Sequence, residues 1–348
     1  MDKSEVLKQS RKAYDQWCGL WRHNSNIVRN LNKIPMDQIR GQGTGKQLVI
    51  VSMGGSFEKQ IEVLKKHQDK VDILAVDKAF VSLMANGIKP DYVLIADAQV
   101  SFQCYCEPLL EETSDVMLIS NVNANPDWGA NWRGPKTYYV NKDNIESEKE
   151  FSRISGVYDT IPAGSNVSNA AVIYSNEVLK YDNYILLGFD FSWGVGDKFY
   201  SFASGTEKMG NKSVALNNMR VLNRNYDLVN CSENLWFSAR WLDMYIRSEV
   251  GQKCLNASDG ILEVPKVIDL KERLLSIKKY KRELTNVESN SISTMNHRIY
   301  DDKSFNDAVE IMKSEDMLVN TGNLVYIDKN IHKLAKAPKD NKTNKYML

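Results

Sequence analysis

Residues 47–56 read QLVIVSMGGS: the apolar run Gln47–Ser52, then Met53-Gly54-Gly55-Ser56, with a helical pattern opening at Phe57. Four consecutive aliphatic residues between polar ones predict a short strand buried on both faces. The two glycines allow a tight strand-to-helix turn with no Cβ in the way. Ser56 then stands at a helix start, where its hydroxyl and the unsatisfied backbone N–H groups can hold a phosphate or a nucleotide sugar. The same turn also forms without any ligand.

Working outward, the alternation continues. Phe57–His67 reads as a helix with Ile61 and Leu64 inward. Asp72–Val76 is a second strand, and Ala79–Asn86 a helix ended by Gly87. Asp91–Ala96 is a third strand, Val116–Ser120 a fourth and Lys136–Val140 a fifth. Val167–Leu179 is a helix feeding the strand Tyr184–Leu187. Short apolar strands alternating with helices predict an α/β fold with a largely parallel, Rossmann-like sheet flanked by helices. Ala215–Asp227 and Glu233–Val250 read as helices, Lys253–Asn256 as a late strand, and 270–284 and 303–313 as further helices. Three parts follow: a helical N-terminal segment (1–45), a Rossmann-like domain (46–265) and a helical C-terminal segment with a basic tail (266–348). Ala13, Trp17, Leu20 and Trp21 recur at helical spacing as a docking stripe, and Gly41–Gly45 reads as a flexible joint. A Walker loop is rejected there, because the glycines precede a strand and Lys46 is out of position.

The chain has 348 residues, 45 Lys+Arg against 44 Asp+Glu, and a net charge of +1. So even a balance gives no global electrostatic reason to bind nucleic acid or an anionic membrane. No run approaches the ~18–20 apolar residues of a spanning helix, and no secretory signal is visible at the start. Five scattered cysteines (Cys18, Cys104, Cys106, Cys231, Cys254) make a disulfide framework unexpected and a reducing cytoplasm the simplest compartment. Cys104 and Cys106 lack the second pair that a zinc knuckle needs. The four histidines form no metal or protease spacing, and the sequence names no metal. The tail from Lys329 carries six lysines against one aspartate and reads as a solvated end.

In open parallel sheets ligands bind outside the carboxyl ends of the strands, so the residues there are the candidates. Asp77 follows the second strand, and Asp97-Ala98-Gln99 the third. Such side chains take ribose hydroxyls, a base edge or a metal. Asn121-Val122-Asn123-Ala124-Asn125 follows the fourth, as a turn or a ligand loop. Gly164-Ser165-Asn166 is a second helix start, with Ser165 or Asn166 as cap. Asp190 follows the strand at 184–187, inside a glycine- and aromatic-rich loop that reaches Tyr200. Arg240 or Arg220 is a candidate partner for a sugar carboxylate, and the basic helix from Lys271 a candidate dock for an acidic acceptor.

Taken in order, Val51–Ser56, Ile73–Ala79 and Gly87-Ile88-Lys89-Pro90-Asp91 through Asp97 resemble the motility-associated factor (Maf) glycosyltransferase family. That family carries a glycine-proline-serine-type loop, an Asp-ended strand and a GIKPD strand in this order. Gly164-Ser165-Asn166-Val167-Ser168, Leu187-Gly188-Phe189-Asp190-Phe191 and Leu255–Ile261 continue the match, which covers roughly residues 15–275. The glycine-serine and Gly-x-Asp-Phe portions are also similar to bacterial sialyltransferases, of GT-A-like fold. The same superfamily holds an archaeal hydroxymethyldihydropterin pyrophosphokinase, whose His-Gly-Asp-Asn-type signature is absent here.

The resemblance implies transfer of a nonulosonic (sialic-acid-like) sugar from a CMP-activated donor to a protein or glycan hydroxyl, flagellin-like in the family. It implies that Gly54, Gly55, Ser56, Gly164 and Ser165 approach the donor. Asp97 and Asp190 would line the site, and Tyr200 would reach the phosphate; Asp77, Gln99, Asn121 and Asn166, from the strand ends and the second helix start, complete the expected binding set. Two departures stand out. Gly55 replaces the usual proline, and no histidine lies between Gly188 and Asn296, so the general base is unassigned. Two other readings stay open: a Mg-dependent pyrophosphokinase-like phosphoryl transferase using Asp77, Asp97 and Asp190, or a catalytically silent nucleotide-sugar-binding module.

Overall fold

The computed structural model describes residues 3–98, 100–102, 106, 109–142, 145–194 and 218–278. Gln99, Cys104, Tyr200, His297, His332, the expected 303–313 helix and the basic tail lie outside them. In chain order the strands are β1 (Gln47–Val51), β2 (Asp72–Val76), β3 (Tyr92–Ile95), β4 (Met117–Asn121), β5 (Lys136–Lys142), β6 (Thr160–Pro162), β7 (Asn183–Leu187), β8 (Trp193–Gly194), β9 (Asn218–Leu222), β10 (Leu228–Ser232), β11 (Cys254–Asn256) and β12 (Lys266–Val267). The helices are α1 (Lys3–Val28), α2 (Ser56–His67), α3 (Ala79–Ala85), α4 (Asp127–Asn131), α5 (Ile145–Ser155), α6 (Val167–Tyr174), α7 (Glu233–Tyr245) and α8 (Leu270–Ser276). Both α6 and α7 widen into a π turn, over Ser175–Leu179 and Ile246–Val250, so the expected helices 167–179 and 233–250 keep their bounds.

Nine strands form one sheet in the order β12-β11-β7-β1-β2-β3-β4-β5-β6, and every pairing is parallel. The five central apolar runs are strands because both sheet faces are covered. Leu48 to Val51 and all of β2 are buried, and each large aliphatic side chain so buried contributes about 1.5–3 kcal/mol. Asp72, the polar member of β2, is held by the Tyr181 hydroxyl at 2.6 Å and faces Lys46 Nζ at 3.5 Å. Along β5 the side chains alternate. Tyr139 joins the main core, whereas Tyr138 and Val140 join a smaller one with Val28, Leu31, Phe151 and Val157 under α1 and α5.

Some expectations change. The helix expected over 270–284 ends at Ser276, where Ile277 turns extended. Residues 215–227 are not a helix: 218–222 and 228–232 pair as an antiparallel hairpin, Leu222 opposite Leu228, and join β8 in a second sheet. Asn223 decides this, because its Oδ1 accepts the N–H groups of Asn225 and Asp227 at 2.9 and 2.8 Å, closing a turn where a helix would have to continue. Gly41–Gly45 is not a loose joint, since the N–H groups of Gly41 and Gly43 bond the carbonyls of Val178 and Leu179 at 2.8 and 2.7 Å. From the N-terminal stripe Trp21 packs edge-on to Phe151. The firmest anchors come later, where Asn24 Nδ2 and Ser25 Oγ donate to the Asn123 carbonyl and side chain at 2.9 Å each. The side chain of Ala13 lies outside the description. Helices α4 and α5 and strand β6 had no counterpart in the sequence reading.

Candidate functional site

Strands β1 and β7 are neighbours in space, yet the chain builds β2 through β6 between them on the far side. The order of strands reverses here, and this is the crevice where open parallel sheets hold ligands. Ser52 N–H donates to Leu187 O at 2.8 Å and Gly54 N–H to Gly188 O at 2.9 Å, so the two strand ends stay paired past the ladder. Gly188 takes φ +73, and a Cβ there would strike the Ser52 carbonyl. A Cβ on Gly54 would sit 2.6 Å from both Asp190 Cγ and Gly188 O. The glycines therefore permit close approach of the two strand ends, as well as the tight turn.

Asp190 is buried against the first helix start. Its Oδ2 accepts the Ser56 N–H at 2.8 Å and its Oδ1 accepts the Ser56 hydroxyl. Burial pushes its carboxyl above the ordinary value, the two bonds from Ser56 and the Lys59 charge oppose that, and Asp259 adds to it. Asp190 thus occupies the anion position at the α2 N-terminus that the sequence offered to a phosphate. It fastens β7 to α2 through both oxygens.

The second helix start meets the first. Asn166 Oδ1 caps α6 by accepting Asn169 N–H at 2.9 Å, which settles the choice of cap. Ser165 Oγ instead accepts from Asn169 Nδ2 at 2.8 Å, and Gly164 packs against the Asn169–Ala170 backbone. One turn in, the Ser168 hydroxyl lies 2.9 Å from the Ser52 hydroxyl at the end of β1. The end of β1 and the start of α6 are therefore tied together. The N-terminal turn of α6 carries the partial positive charge of its aligned peptides towards that junction.

Farther along the same edge sit Asp77 and Asp97, close enough that the Asp97 charge raises the Asp77 carboxyl. Burial is the larger cause, and Lys78 opposes both. Asp77 holds φ +22, an uncommon conformation for a side-chain-bearing residue, fixed by its N–H on Leu94 O and its carbonyl on Phe80 N–H. Asn121 is buried, and its Oδ1 accepts Asn123 N–H at 2.8 Å, so it shapes the turn after β4. Among the described residues no three His, Cys, Asp or Glu side chains are grouped to hold a metal ion. Asp77, Asp97 and Asp190 do not form a three-carboxylate cage.

Sequence reasoning missed the charged residues that close this corner. The segment Asn256–Ile261 crosses over Asp190: Ile261 N–H donates to Asp190 O at 3.1 Å, and Ser258 Oγ accepts Phe189 N–H at 2.9 Å. Lys59, one turn into α2, reaches Asp259 at 2.7 Å. Arg224 arrives from the β9–β10 turn and donates to Ser258 O through Nη1 at 3.4 Å. Strand-end logic did not reach Arg224, because it lies on a hairpin read as a helix. Arg240, a candidate for a sugar carboxylate, is spent on Asp243, Glu263 and the Ile261 carbonyl. Arg220 stands opposite Asn230 on the exposed hairpin.

The sequence profile of a family described as 6-hydroxymethylpterin diphosphokinase MptE-like matches residues 23–196, which include β1 through β7 and both helix starts. The chain belongs to the MptE-like family. This MptE-like chain is 30% identical over 86 residues to 6-hydroxymethyl-7,8-dihydropterin pyrophosphokinase of Methanocaldococcus jannaschii, covering 23% of the chain and 36% of that protein. It is also 30% identical over 80 residues to an uncharacterized protein of Treponema pallidum (strain Nichols), covering 23% and 38%. Among solved structures it is similar to the MAf glycosyltransferase from Magnetospirillum magneticum AMB-1, with a TM-score of 0.55 and 17% identity over 85% of the chain and 42% of that one. At that identity the likeness establishes a shared fold. The matched regions span well under half the length of each of these relatives. No helix among the described residues is long and apolar enough to cross a membrane.

Proposed function

We propose that the MptE-like chain binds a nucleotide-activated sugar at the β1/β7 crevice and takes part in its transfer to an acceptor hydroxyl. The donor class is a CMP-activated nonulosonic sugar. The observation that carries this reading is the meeting of the two glycine-serine helix starts, joined by the Ser52–Ser168 contact. An activated phosphate ester needs N–H groups and a helix N-terminus on its leaving group. With Asp190 filling the α2 position, the α6 start is the phosphate seat. The fold shared with a Maf glycosyltransferase supports the same reading.

In the proposed transfer the acceptor oxygen bonds to the anomeric carbon. The bond from that carbon to the phosphate oxygen breaks, and its electron pair leaves with CMP. The acceptor's proton goes to a carboxylate. Asp97, half-buried on the same edge, is the assigned acceptor, because both oxygens of Asp190 are held by Ser56. The acceptor itself is a protein or glycan hydroxyl, with a flagellin-like surface protein as the class the Maf resemblance favours.

A second reading, pterin pyrophosphokinase chemistry, is favoured by the family description and the archaeal relative. The carboxylates do not fit the three-acid magnesium site it was expected to use, so no step is drawn through a metal. Calorimetric titration separates the two. The transfer reading expects CMP and CMP-N-acetylneuraminic acid to bind and ATP with Mg²⁺ to leave the heat signal flat. Binding of ATP and the pterin with no response to any cytidine nucleotide would reverse the order. Donor binding with neither transfer nor donor hydrolysis would leave a sugar-nucleotide-binding module.

A further inference from the structure

The corner where α2, the Asp190 loop and the 256–261 segment meet holds a guanidinium whose hydrogen bonding is incomplete. Arg224 Nη2 is buried and has no hydrogen-bond partner, while Nη1 of the same guanidinium donates to Ser258 O. A buried donor left unmade is costly, and more so when it is charged. Such a group is retained where something else completes it.

The backbone around Arg224 is fixed in advance. Asn223 Oδ1 accepts two N–H groups of the turn, Asn223 N–H donates to Asp227 O at 2.9 Å, and Arg224 N–H donates to Gly260 O at 3.3 Å. Gly260 in turn lies so close on the Asp190 backbone that a Cβ would overlap it. The guanidinium is thus tied, through one residue, to the loop that ends β7. The local charges add to the picture: Lys59 is paired with Asp259, and Asp259 is also the acid whose charge acts on Arg224. Two cations share that one surface carboxylate. The remaining carboxylate in the corner, Asp190, is satisfied by Ser56.

We propose that Arg224 is a substrate-binding residue whose free Nη2 grips an anionic group, a phosphate or a carboxylate, of the molecule held at the β1/β7 crevice. This rests on the functional reading above for the identity of that molecule, but not for the presence of an anion. A planar guanidinium with one nitrogen anchored and the other without a partner suits an oxyanion better than a lysine would.

The test compares the wild-type chain with Arg224→Gln and Arg224→Lys, after far-UV dichroism and thermal melts establish that both variants fold. Four probes are titrated calorimetrically: cytidine, CMP, CMP-N-acetylneuraminic acid and inorganic pyrophosphate. Arg224→Gln is expected to weaken at least one anionic probe roughly tenfold or more while leaving cytidine unchanged, with Arg224→Lys recovering part of the loss. Loss on CMP and pyrophosphate assigns the phosphate; loss confined to the sugar nucleotide assigns the carboxylate. If the wild type binds pyrophosphate but no cytidine nucleotide, and Arg224→Gln abolishes that binding, the arginine assignment stands and the cytidine reading falls. If the wild type binds CMP or its sugar and Arg224→Gln binds them equally well, the arginine assignment is overturned and the cytidine reading stands. A wild type that binds no anionic probe overturns both.

Discussion

Asp190 shows how a single residue's place can be legible in sequence while its contacts are not. Its position after a strand marked it for the crevice, and it is there. Its carboxyl, however, locks Ser56 and so fastens two elements together. This has a pH signature. Burial raises the folded-state value above the ordinary 3.8. Between the unfolded value and the raised folded one, the native state keeps a proton that the unfolded chain has released. Stability therefore falls as pH rises through that window and levels off above it. Asp190→Asn is expected to make that fall shallower in urea unfolding curves collected from about pH 4 to pH 7. The slope does not vanish, because Asp77 and Asp243 are raised in the same direction. Gly54→Ala belongs to the same scale: its Cβ would lie 2.6 Å from Asp190 Cγ and from the Gly188 carbonyl. An overpacking cost of ~1–3 kcal/mol is expected, read as a lower urea midpoint at unchanged slope.

Among the elements, strands β1 to β5 and β7 were readable because each is a short run of mostly apolar residues bounded by turn residues and largely buried. The hairpin at 218–232 was not. Leu216, Met219 and Leu222 carry helical spacing, and only the Asn223 turn, closed by side-chain bonds, reverses it. The two helix starts were individually legible, but their meeting was not, since nothing in sequence fixes how far α6 reaches back across the sheet. The Ser52–Ser168 contact supplies that. Helix α8 gives an independent check on packing. Leu270 and Leu274 are fully buried, α8 lies on α2, and Lys70 Nζ donates to the Leu274 carbonyl at 3.0 Å. Leu274→Ala is expected to cost about 2–5 kcal/mol in denaturant unfolding. The exposed Leu275 changed to Ala is expected to cost under about 0.5 kcal/mol.

At the scale of the molecule, a nine-stranded parallel sheet turns its one reversal of strand order towards a corner lined by two helix N-termini, a capped aspartate and an arginine hairpin. Substrate affinity is expected to fall when that corner is blocked and to be indifferent to the opposite edge of the sheet. Ser168→Ala, which removes the hydroxyl facing Ser52 without adding bulk, is expected to weaken CMP binding several-fold in calorimetry with little change in thermal midpoint. The most direct measurement is a crystal structure of the chain grown with CMP. Density for the nucleotide at the carboxyl ends of β1 and β7, with its phosphate near residues 165–168, is the predicted result. Density at any other edge of the sheet, or an empty crevice at nucleotide concentrations that saturate the protein in solution, would contradict the account.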